Sequence, residues 1–125
     1  HGIGRRQRQM CIRDRVTVDE TFDARGWGSD WRIHPVPGHT EGSSMLYHAP
    51  TATLFSGDAI LAGIPPFRFF TLLRLAQEAF SADAPRCHDG VMGFLAEMPA
   101  IQALCSGHGP GVVGDVEDRL RRLRR

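Results

Sequence analysis

The chain has 125 residues, 42% of them hydrophobic and 23% charged, which is enough apolar content for one globular domain and too much for a disordered or collagen-like chain. Its longest apolar run, residues 59–67, is broken by Pro65 and Pro66 and falls short of the ~18–20 residues of a membrane span; with no signal-peptide core after Arg5 and Arg6, the expectation is a cytoplasmic protein with no membrane partner. Fifteen Arg and fourteen acids leave a net charge of +1, but ten of the Arg lie in residues 1–15 and 119–125, and neither basic run has the interleaved aromatics of a single-strand binder, so nucleic acid is disfavoured as a partner.

Residues 1–15 show neither helical nor strand periodicity and resemble a translated sequencing adapter over residues 8–15, so they are expected to be a foreign or disordered basic segment ahead of a domain spanning 16–125. The first residue is His1, and the chain reads as a fragment. From Val16 the pattern alternates short strands with helical stretches: a strand over 16–22, a turn-rich link, and an alternating strand over 31–36 that feeds Pro37-Gly38. Two strands over 44–48 and 53–56 flank a turn at Ala49-Pro50-Thr51-Ala52. Apolar spacing predicts one helix over 72–80 and a second starting near Asp83, with Pro85 in its first turn and a stripe through Cys87, Val91, Phe94, Leu95 and Met98. A strand over 101–105 follows, then a helix capped by Asp115 with i, i+4 pairs Glu117/Arg121 and Asp118/Arg122. The fold class is therefore α/β of the α+β type, a mixed β-sheet with flanking helices. Cys11, Cys87 and Cys105 are odd in number and lack C-x-x-C spacing, which points to reduced thiols.

Three of these strands run into glycine-flanked loops that each offer a metal-type ligand: Pro37-Gly38-His39-Thr40, Ser56-Gly57-Asp58-Ala59 and Ser106-Gly107-His108-Gly109-Pro110. Glycine lets the backbone turn tightly beside the ligand, and the strand behind it fixes the ligand's direction. Taken singly, a histidine in a Gly-rich loop is more often structural, and Gly-Asp is a common turn. His34, His48 and His88 lack this setting and are read as structural. Cys105 is read as a small core residue, and no G-x-S-x-G elbow supports a serine nucleophile at Ser43 or Ser44.

The run Pro35-Val36-Pro37-Gly38-His39-Thr40-Glu41-Gly42-Ser43, followed by Leu54-Phe55-Ser56-Gly57-Asp58-Ala59 and by Gly107-His108-Gly109-Pro110, resembles the metallo-β-lactamase fold superfamily. The resemblance covers residues 16–125 and implies the C-terminal half of a four-layer αβ/βα sandwich. It further implies that His39 binds a first metal, Asp58 bridges two metals and takes part in catalysis, and His108 binds the second. The cofactor implied is Zn2+, two per complete domain, with iron or manganese as alternatives. The implied activity is cleavage of a small ester, thioester, lactone or amide by metal-bound hydroxide, since a divalent ion lowers the pKa of its bound water to about 7. The loop 60–70 is a candidate wall of the substrate pocket. The family's H-x-H-x-D-H motif is absent, so the isolated chain is expected to be inactive. A reading from another class is a non-catalytic half-fold acting as an interaction module, a homo-oligomer formed through the sheet face that its missing half would cover.

Overall fold

A computed structural model describes Thr17 and residues 28–63, 73–97 and 99–123. The basic segment 1–15, the strand expected over 16–22 apart from Thr17, Met98, and residues 64–70 of the pocket loop lie outside the described residues. Short alternating runs bounded by Gly and Pro form the strands β1 (Trp31–Pro35), β2 (Ser44–His48) and β3 (Thr53–Gly57). Beyond them come β4 (Ile60–Leu61), β5 (Arg74–Leu75), a 3-10 turn (Glu78–Phe80), α1 (Ala84–Ala96), β6 (Ala103–Ser106), β7 (Val112–Val113) and α2 (Val116–Arg121). Among the described residues no helix is long and apolar enough to cross a membrane.

Five strands form one mixed sheet in the order β1-β2-β3-β6-β7, and β4 and β5 pair separately. β1, β2 and β3 are joined antiparallel, with Leu46 opposite both Ile33 and Phe55, whereas β6 lies parallel to β3 with Leu54 opposite Leu104. Antiparallel neighbours need only short connections, the 36–43 loop and the 49–52 turn; the parallel step needs a long crossover, which β4, β5 and α1 provide. Strand alternation sends Met45, Tyr47, Leu54 and Leu104 to one buried face, against Val36 and the Cys87, Val91 and Phe94 stripe of α1. Tyr47 stands edge-on to Phe94 and donates its hydroxyl to the Ala100 carbonyl at 2.6 Å. The other face carries Trp31, whose ring lies tilted against those of His48 and Phe55, and leaves Val113 exposed.

The α+β mixed sheet with flanking helices matches the sequence-based expectation, and so does α1, whose first turn contains Pro85 and whose Asp83 side chain accepts from the Arg86 amide. Four local expectations need correction. Residues 73–80 do not form a helix: Ile60 pairs with Leu75 across two short strands, and only Glu78–Phe80 turn. Strand β6 starts at Ala103, two residues later than expected. Asp115 precedes α2 but makes no side-chain cap, because its backbone is left-handed at φ 51°. Asp118 pairs with Arg122 at 3.2 Å, but Glu117 turns away from Arg121 and accepts the Ile101 amide.

Candidate metal centre

Strand direction determines which loops can meet. Since β2 is antiparallel to both β1 and β3, and β6 is parallel to β3, the chain leaves β1, β3 and β6 at the same edge of the sheet. His39, Asp58 and His108 follow those three strands.

Each loop is held by its own backbone. After β1 the Val36 amide donates to Ser43 O and the Gly38 amide to Thr40 O, closing the loop that presents His39. Gly38, at φ +143°, lies so close to Asp83 O and to Cys87 that no side chain fits there. After β3 the chain turns through Gly57 at φ +53° to reach Asp58. Gly107 N–H donates to Gly57 O at 2.8 Å, extending the β3–β6 pairing to the turns that carry Asp58 and His108. The hydroxyls of Ser56 and Ser106 both donate to Ile60 O, at 2.9 and 2.7 Å, and tie the far side of the Asp58 turn to both strands.

The three side chains converge. His39 Nε2 lies 3.1 Å from Asp58 Oδ2, and His108 Nε2 lies 3.5 Å from Asp58 Oδ1, so each carboxylate oxygen faces a different imidazole. Exposure rises from 21% at His39 to 35% at Asp58 and 49% at His108, so the site opens on the His108 side. Gly107 has no room for a Cβ, which would overlap Asp58 Oδ1. The donor set of two imidazoles and a carboxylate suits divalent zinc, iron or manganese. Among the described residues no three His, Cys, Asp or Glu side chains are arranged to hold one ion, and the arrangement is instead two donor pairs that share Asp58.

A hollow of about 270 Å³ lies over these residues, lined also by Leu61, Gln77 and Phe80. Sequence reasoning missed Gln77, Phe80 and Ser81, whose Oγ is 3.0 Å from His39 Nδ1. A helix over 72–80 would have put these residues on a regular surface, and only the pairing of Leu75 with Ile60 turns them toward the site. Behind His39, Cys87 is fully buried. Burial raises its thiol above the ordinary value of 9.0, and the His39 amide hydrogen bonded to it offsets part of that rise. The remaining histidines lie elsewhere: His34 packs on Phe94, His48 bonds Thr51, and His88 bonds Ala76 O at 2.6 Å. Cys105 is half-buried on the outer sheet face, not in the core, because Leu104 takes the inward position.

No protein-family profile matches the chain, and no curated protein matches it in sequence. Solved structures do. TTHA1623, crystallised in a di-iron-bound form, superposes with a TM-score of 0.59 at 21% identity over 83% of this chain. A metallo-β-lactamase from Pontibacter korlensis gives 0.57 at 18% identity over 95%, and one from Erythrobacter litoralis gives 0.53 at 24% over 84%. The chain has part of the metallo-β-lactamase fold. It covers 48%, 60% and 46% of those three proteins, about half their length. Identity this low establishes the metallo-β-lactamase fold alone and leaves the chemistry to the residues at the sheet edge.

Proposed function

We propose that the chain is part of a metal-dependent hydrolase in which His39, Asp58 and His108 hold a pair of divalent ions and a small ester, thioester, lactone or amide is cleaved. The observation that carries this reading is the Asp58 carboxylate, with one oxygen turned to each imidazole. Zinc is the first choice of metal, with iron or manganese as alternatives; the di-iron form of TTHA1623 supports a metal-binding role for this fold. Such an ion, when bound, acidifies coordinated water toward neutral pH and polarises the carbonyl under attack.

The chain's own residues have definable parts in this. Asp58 is the ligand common to both positions, and His39 and His108 each serve one. Leu61 and Phe80 offer an apolar wall to the substrate's hydrocarbon portion, and Gln77 contributes polar atoms to the same hollow. Each ion draws on two protein donors here, whereas a catalytic zinc wants three plus water, so the isolated chain binds metal weakly and hydrolyses poorly.

Metal content, by elemental analysis, of a longer protein that carries this half and of its variants tests the assignment. Asp58→Ala should weaken both sites together, while His39→Ala and His108→Ala should each remove about one equivalent. Retention of both ions by Asp58→Ala would refute it. For the reaction, a longer protein that carries this half should hydrolyse at least one member of a thioester, lactone, ester and amide panel, and lose that activity on chelation.

A second reading draws on Phe55 and Val113, exposed on the outer sheet face: a non-catalytic half-fold that pairs with a second copy through that face. Concentration-dependent dimerisation abolished by Val113→Asp, with no metal bound, would favour it.

A further inference from the structure

Ser81 has one hydroxyl proton and two polar neighbours. Its Oγ lies 2.7 Å from the Gln77 carbonyl oxygen, which can only accept, and two oxygens at that separation repel unless a proton lies between them. The proton therefore goes to Gln77. The same Oγ lies 3.0 Å from His39 Nδ1; with its proton committed it can only accept there, so Nδ1 must carry the hydrogen.

We propose that Ser81 is the positioning residue for His39, holding the ring with Nδ1 protonated and Nε2 turned onto Asp58. Its own position is stitched in. The Ser81 amide donates to Glu78 O at the end of the 3-10 turn, and the next two amides, of Ala82 and Asp83, donate to His39 O and Gly38 O at 3.3 and 2.7 Å. Those two bonds run the 81–83 segment alongside the 38–39 loop and set the hydroxyl against the ring. With the hydrogen on Nδ1, Nε2 is the nitrogen that faces Asp58 Oδ2, at 3.1 Å. A cation between them, either a proton or a metal ion, satisfies both, and an imidazole that binds a metal through Nε2 requires its hydrogen on Nδ1. The benefit to metal binding rests on the proposed function above; the proton assignment does not.

Histidine-labelled full chain, with His39 identified by its loss in His39→Gln, would be followed by two-bond 1H–15N correlation spectra, metal-free and with zinc chloride. The expected result is an N–H type Nδ1 in both conditions. Ser81→Ala should expose that proton to fast exchange and weaken zinc binding about 10- to 100-fold in chelator competition, and Ser81→Thr should restore both. An unprotonated Nδ1 in the wild type would overturn the proposal. So would a Ser81→Ala protein whose Nδ1 proton stays protected and whose zinc affinity stays within about twofold of wild type. A wild type that binds no zinc but keeps Nδ1 protonated would refute the metal centre and still uphold Ser81's hold on the ring, provided Ser81→Ala releases the proton.

Discussion

Glycines at the site separate lesions of the centre from lesions of the fold, and Gly107→Ala is the sharpest case. Gly107 has no positive φ, so its backbone accepts alanine without strain. Space is what it lacks: the new Cβ would overlap Asp58 Oδ1 and press on Gly57 C and O at 3.1 and 3.2 Å. The carboxylate is the end of a short side chain that is one-third exposed, so it can rotate out toward solvent, while the backbone moves by a few tenths of an ångström. Overpacking costs about 1–3 kcal/mol, and with this escape route the cost falls near 1 kcal/mol, or roughly 4–8 °C in Tm. The site fares worse. Once Asp58 rotates, both imidazoles lose their common partner, and zinc affinity should fall on the order of tenfold or more.

Gly38→Ala provides the contrast. There φ is +143°, and the Cβ would meet Asp83 O, Cys87 N at 2.5 Å and Cys87 Cβ at 2.8 Å, all at the rigid start of α1. Backbone strain and overpacking together cost about 2–6 kcal/mol, comparable with the whole stability of a small domain. Urea unfolding and zinc competition on the two variants decide the matter. If Gly107→Ala keeps wild-type zinc affinity, or loses as much stability as Gly38→Ala, the contact between Gly107 and Asp58 does not govern the site.

The remaining predictions concern the scaffold. Leu54, fully buried between the sheet and α1, should cost about 2–5 kcal/mol as Leu54→Ala, read from the urea midpoint. Asp83→Ala should cost about 1 kcal/mol through the lost cap on α1, and Asp83→Asn should recover most of it. Cys87 gives a pH dependence: its raised folded pKa means that the unfolded chain ionises first, so the thiol's contribution is intact below about pH 9 and is lost as pH rises beyond it. Cys87→Ala should flatten the fall in stability between about pH 8 and 10, and an unchanged slope would show that burial does not hold the thiol neutral.

Short strands were legible because Gly- and Pro-containing turns bound them: 44–48, between Gly42-Ser43 and Ala49-Pro50, is β2 residue for residue. Residues 72–80 misled for a physical reason. Leu73, Leu75 and Ala76 are buried, as their apolar character indicates, but the burial comes from pairing with β4 and not from a helical stripe. That misreading also concealed Ser81, because the hydroxyl reaches His39 only when the chain leaves a short 3-10 turn. Asp115 failed differently. An N-cap needs extended backbone as well as the right side chain, and Asp115 follows Gly114 into the left-handed region.

The meeting of His39, Asp58 and His108 depends on one choice that local pattern does not express. Glycine beside a candidate ligand at a strand end can be read residue by residue, but which edge of the sheet that end occupies cannot. The loop over 36–43 and the turn at 49–52 settle it for β1 and β3, since two successive antiparallel steps return the chain to its original direction. For β6 the direction follows from the crossover through α1. An antiparallel β6 would place His108 at the opposite edge, roughly four residues or 13 Å away, beyond the reach of an imidazole. The parallel pairing of Leu54 with Leu104 is therefore as much a part of the site as its three side chains, and the packing of α1 that enforces it joins the core to the candidate chemistry.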